Sequence, residues 1–189
     1  MNKYLFGAIS IIVFVLGIGV GFFLTPEYAA MKTEKGSGMK ELGNADGFID
    51  LRYMDNMIAH HLSAIVMLTQ ALEKSKRSEI IELAKAVIQA DTQGIAQLYA
   101  YKKEFYNDTR EITQYSKVNL GDGDELFDLR LINALIAHHD EAIASAMEMR
   151  TKSTRTQILT LADSVIQALS SNKDQLKAWR KTWYNIDSI

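Results

Sequence analysis

From Leu51 onward, apolar side chains recur three and four residues apart, with Leu51, Met54, Ile58, His61, Ile65, Leu68 and Leu72 on one stripe. That is the period of a helix with one buried face. A polar break at Lys74–Ser78 interrupts the pattern, and Ile81, Ala84, Val87, Ile88, Ile95 and Leu98 then form a second stripe. The pair of stripes returns as Leu129, Ile132, Ile136, His139 and Ile143, followed by Ile158 to Trp183. Pro26 is the single proline, so nothing after it breaks long helices.

Shifted by 78 residues, the chain matches itself. Over Asp46–Asn107 against Asp124–Asn185, 26 of 62 positions are identical without a gap, which marks a duplication. Two amphipathic hairpins bury their faces best against each other. The expected fold is therefore all-α, a ferritin-like four-helix bundle at 46–189, with repeat one at 46–107 and repeat two at 124–185. The linker 108–123 reaches about 50 Å when extended, against roughly 40 Å for each expected helix. It can run the length of the bundle in a crossover, and an up-down arrangement is the alternative.

Ahead of the repeats, Leu5–Leu24 carries no charge. At about 1.5 Å per residue it matches the roughly 30 Å hydrocarbon core of a bilayer. The competing reading, a cleaved signal peptide, has Lys3 in its favour but no small-x-small cleavage site. The expectation is a transmembrane anchor at 1–24 and a flexible spacer at 25–45 containing Gly36-Ser37-Gly38. The bundle is then a periplasmic or cell-surface domain of a single-pass membrane protein, with the membrane as a partner.

Composition narrows the chemistry. A net charge of −2 lacks the electrostatic footprint of a nucleic-acid binder. The absence of cysteine excludes disulfides and thiolate metal sites. All four histidines fall in two pairs, His60-His61 and His138-His139, at equivalent places near mid-helix. His61 and His139 fall on the apolar stripe, while His60 lies on the neighbouring one with Met57, Ala64 and Met67.

Imidazole and thioether without carboxylate favour a soft ion, Cu(I) or Ag(I), with Cu(II) accommodated by the histidines. The metal candidates are His60, His61, His138, His139, Met57 and Met67. Met54, Met147, Met149, Asp91, Asp50 and Asp128 stand as additional candidates. No Glu-x-x-His occurs, and a di-iron carboxylate centre needs that motif, so oxidoreductase chemistry is disfavoured. The bland alternatives are that methionines on an apolar face fill core gaps and that core histidines join a hydrogen-bonded network. Asp50 and Asp128, near helix starts, complement the helix dipole.

These residues resemble the bacterial family called "domain of unknown function 305". Asp50, Tyr53, Met57, Ile58, His60, His61, Ala64 and Met67 follow its motif in repeat one. Repeat two keeps Asp128, Ile136, His138, His139 and Ala142, with Leu135 and Ser145 in place of the methionines. Asp91 and Gly94 stand where the family usually has Gln and Glu. The resemblance implies an exported, two-repeat helical domain with some relatives similar to periplasmic copper-binding proteins. The expected function is a membrane-anchored copper or silver binder in sequestration or tolerance; the alternative is a structural or interaction module without metal.

Overall fold

The computed structural model describes residues 39–187. The anchor expected at Leu5–Leu24 lies outside the described residues. Among those described, no helix is long and apolar enough to cross a membrane. Four helices make up the fold: α1 (Ile49–Lys74), α2 (Ser78–Tyr106), α3 (Phe127–Lys152) and α4 (Thr156–Tyr184).

Helix boundaries follow local chemistry. Asp46 Oδ1 accepts the Phe48 N–H at 2.9 Å, and Asp124 Oδ1 accepts the Leu126 N–H at 3.0 Å. Each carboxylate thus closes an Asx turn that leads the chain into a helix start. At the far ends Asn107 and Asn185 adopt φ of 51° and 54°, the left-handed conformation that asparagine tolerates and that stops a helix. The hairpin turns contain Ser75 and Ser153, whose extended backbones end α1 and α3.

Within each hairpin the two helices pack together, and the hairpins meet through α1 and α3. One core joins Met67, Leu68 and Ala71 of α1 to Phe127, Leu131 and Leu135 of α3. A second joins Tyr53, Met54 and Met57 of α1 to Ala146 and Met149 of α3. The early half of each helix therefore meets the late half of the other, so α1 and α3 are antiparallel. Helices α2 and α4 flank this pair and bury little: Ile80, Ala84, Leu98 and Lys102 in one, Ile158, Ala162 and Leu176 in the other.

The interior face of α1 is Met57, His60, Ala64, Met67 and Ala71, all buried. Of the expected stripe, Leu51, Met54, Ile58 and Leu68 are buried, His61 and Ile65 are half-buried, and Leu72 is exposed. The cause is that α1 contacts two helices, so its apolar arc is wide and its centre faces α3.

The 108–123 linker runs the length of the bundle, as a crossover. Its Arg110 carbonyl accepts from Lys102 near the end of α2. Further on, Ser116 N–H donates to Ser63, Gln70 bonds Val118 and Leu120, and Lys74 donates to the Gly121 carbonyl. The duplicated contacts begin earlier than Asp46. Leu42 and Leu120 are both buried, and their carbonyls accept from Arg52 Nε and Arg130 Nε at 2.6 and 2.7 Å. Residues 42–45 of the expected spacer thus belong to the packed unit.

The hairpins are clasped at both ends. Asp50 accepts from Ser153 Oγ at 2.6 Å and from Arg155 Nε at 3.0 Å. At the other end, Arg77 Nε stands 3.4 Å from Asp128 Oδ2. Lys152 donates to the Gly43 carbonyl, as Lys74 does to that of Gly121.

Candidate metal centre

The two cores leave a polar layer between them, and the histidines fill it. His60 and His138, one from each hairpin, stack with ring centroids 3.5 Å apart and planes 5° from parallel. His60 Nε2 lies 3.0 Å from the His138 carbonyl. A carbonyl only accepts, so the proton sits on Nε2 and Nδ1 carries a lone pair. That Nδ1 is buried without a partner, as are His138 Nε2 and His139 Nδ1.

Burial keeps these rings neutral. It pushes the His60 pKa down to about 3 and that of His139 to about 4, and it holds His138 well below the ordinary histidine range. The neighbouring imidazoles lower His60 and His138 further, because two cations so close would repel. Neutral imidazole is the form that ligates metal.

His61 and His139 do not share the stack. His61 turns toward α2, where its Nδ1 lies 2.9 Å from Asp91 Oδ1. Met57 and Met67 are buried on α1 to either side of the histidine layer, each in a different core. Met54 and Met149 are fully buried core residues, and Met147 is exposed. Asp50 and Asp128 sit in the end clasps and take no part in the layer. Among the described residues, no three His, Asp or Glu side chains cluster in metal-holding geometry. Parallel rings also cannot both direct in-plane lone pairs at one ion, so a shared ion requires one ring to leave the stack. The donor chemistry nevertheless fits a soft ion: unpartnered neutral imidazole nitrogens with buried thioethers nearby.

Above the stack lies a groove of about 490 Å³, floored by His60 and His138 and walled by residues 39–41 and 111–116. Glu41, Asp55, Glu111 and Glu141 line it, against Lys40 and Arg52. Burial raises the pKa of Glu141. No sequence signal pointed to this groove, because its walls come from segments far apart in the chain.

No curated protein matches the chain. Among solved structures it is similar to CopM in the Cu(I)-bound form, with 26% identity and a TM-score of 0.64, covering 71% of this chain and 97% of that one. CopM in an Ag-bound form gives 26% and 0.65 with the same coverage. The apo form gives 27% and 0.64, covering 71% and 98%. By its match over residues 25–115 and 128–189, the chain belongs to the family described as "Domain of unknown function (DUF305)".

Proposed function

We propose that this chain binds Cu(I) or Ag(I) through its histidine layer, with Met57 and Met67 as soft donors, and acts in metal sequestration or tolerance. The observation that carries this reading is that His60, His138 and His139 each hold one buried ring nitrogen without a partner. A buried polar atom without a partner costs about 1–3 kcal/mol. A bound soft ion offsets that cost, whereas a purely structural network would leave fewer nitrogens unsatisfied. The CopM structures with Cu(I), Cu(II) and Ag bound support the assignment. The proposal extends to location: Leu5–Leu24 anchors the chain and holds the bundle outside the cytoplasm.

A competition titration of the full-length chain in detergent micelles, against a chromophoric Cu(I) chelator, tests it. The expected result is tighter binding of Cu(I) and Ag(I) than of Zn(II). Equal or stronger Zn(II) binding would remove the thioethers from the site, and no binding of any of these ions would leave the module structural.

A further inference from the structure

In repeat one the crossover is seated on α2 by two bonds. Lys102, fully buried, donates to the Arg110 carbonyl at 3.0 Å, and Tyr99 OH accepts the Ile112 N–H at 2.8 Å. Shifted by 78 residues, Lys102 becomes Arg180 and Tyr99 becomes Lys177, both on α4, while Arg110 and Ile112 become Lys32 and Glu34. Arg180 keeps half of the pattern: its Nη1 donates to Asn133 Oδ1 at 3.0 Å, where Lys102 pairs with Asp55. Its Nε is buried and has no partner among the described residues. Downstream of these positions the repeat holds in space. Leu42 and Leu120 are buried alike, and Gly43 and Gly121 share positive φ of 72° and 78°. The match to the family also begins at residue 25, ahead of the described residues.

We propose that residues 32–38 dock on α4 as a strap, where residues 110–116 dock on α2, with the Lys32 carbonyl accepting from Arg180 Nε and the Glu34 carboxylate paired with Lys177. A buried N–H without an acceptor is costly, and the repeat brings a carbonyl to that atom. Lys177 cannot accept a backbone N–H as Tyr99 does. At that place the chain carries opposite charges instead, Glu34 and Lys177. Met39 already stands at the groove wall, and the chain from there back to Lys32 is as long as that from Lys117 back to Arg110. The segment ahead of the strap then leaves the bundle beside the end of α4, as the crossover leaves the end of α2.

The test uses the full-length chain in detergent micelles. A carbodiimide joins a carboxylate directly to a lysine in contact with it, and peptide mass spectrometry is expected to find Glu34 joined to Lys177. Brief trypsin treatment reads the strap without cross-linking. The bonds after Lys32 and Lys35 should be cut as slowly as those after Arg110 and Lys117 in the crossover. Arg180→Met should speed cleavage after Lys32 and Lys35 roughly tenfold, with Arg110 and Lys117 unchanged as the sign that the bundle still folds. Should Arg180→Met fail to fold, Lys177→Glu should give the same acceleration, and Lys177→Arg should keep the resistance of the wild type. Wild-type cleavage after Lys32 and Lys35 well ahead of the crossover would overturn the proposal, as would Glu34 joined to other lysines or to none. Resistance unchanged in both Arg180→Met and Lys177→Glu would overturn it as well.

Discussion

His60 lies flat on His138, ring centroids 3.5 Å apart, and each is contributed by a different repeat. Neither can take up a proton cheaply in that position. In the unfolded chain histidine protonates near pH 6.5, whereas folded His60 waits until about 3 and His139 until about 4. Between those limits the unfolded state binds more protons, so stability is full above about pH 7.5 and is lost as pH falls through 6.5. The loss is about 1.4 kcal/mol per pH unit for each such group. Urea unfolding of the metal-free protein should show a clearly lower midpoint at pH 5 than at pH 7.5, with a shallower dependence in His60→Gln. A midpoint unchanged across that range would contradict the burial of these rings.

The methionines separate packing from ligation. Leucine nearly conserves methionine's volume, so Met57→Leu with Met67→Leu should cost less than about 1.5 kcal/mol per site. Loss of the thioethers should nonetheless weaken Cu(I) at least tenfold and leave Zn(II) where it was. If the double variant binds Cu(I) as the wild type does, these two methionines are core residues and nothing more.

Repeat one hides a charge that repeat two lacks. Lys102 is fully buried, with Nζ 2.6 Å from Asp55 and 3.0 Å from the Arg110 carbonyl. Its counterpart Arg180 bonds the neutral Asn133 at 3.0 Å. Removing one partner of a buried pair strands the other, so Lys102→Met should cost about 3 kcal/mol. Arg180→Met should cost about 1 kcal/mol. Denaturant melts of the two variants measure the difference, and equal losses would argue against a stranded Asp55.

The end clasps are unequal as well. Asp50 holds two short bonds, to Ser153 and Arg155. Asp128 faces Arg77 at 3.4 Å and has an unpartnered Oδ1. Asp50→Ala is expected to cost about 2–3 kcal/mol, and Asp128→Ala about 1 kcal/mol or less. Chemical denaturation giving the reverse order would refute this ranking.

The helices were legible because their signals are local. Apolar spacing and the polar break at Lys74–Ser78 each act within a few residues. The alignment of His60 with His138 was half legible: duplication places both at one height, but not face to face. Which stripe faces inward depends on where α3 sits against α1, and His60 rather than His61 took the centre for that reason. The crossover and the acidic groove were beyond reach, since 39–41 and 111–116 lie far apart in the chain and come together by packing on α1, at Asn56 and Ser63. Asp50 and Asp128 illustrate the limit. Near a helix start their charge suits the dipole, yet their partners are Arg155 and Arg77, fixed by the tertiary fold.

Among the described residues, these clasps run from one repeat to the other or to the segment that leads into it: Asp50 to the turn at Ser153, Lys152 to Gly43, Lys74 to Gly121, Arg77 to Asp128. Such reciprocity is what an isologous dimer interface looks like when its two halves are joined on one chain. A single hairpin carrying both halves of the clasp would meet a second copy of itself through the same residues, with two identical histidines stacked on the axis. Within one chain the two copies are free to differ. Asp91, Gly94, Met57 and Lys102 can each exist on one side alone, an asymmetry that a symmetric pair of identical subunits cannot hold.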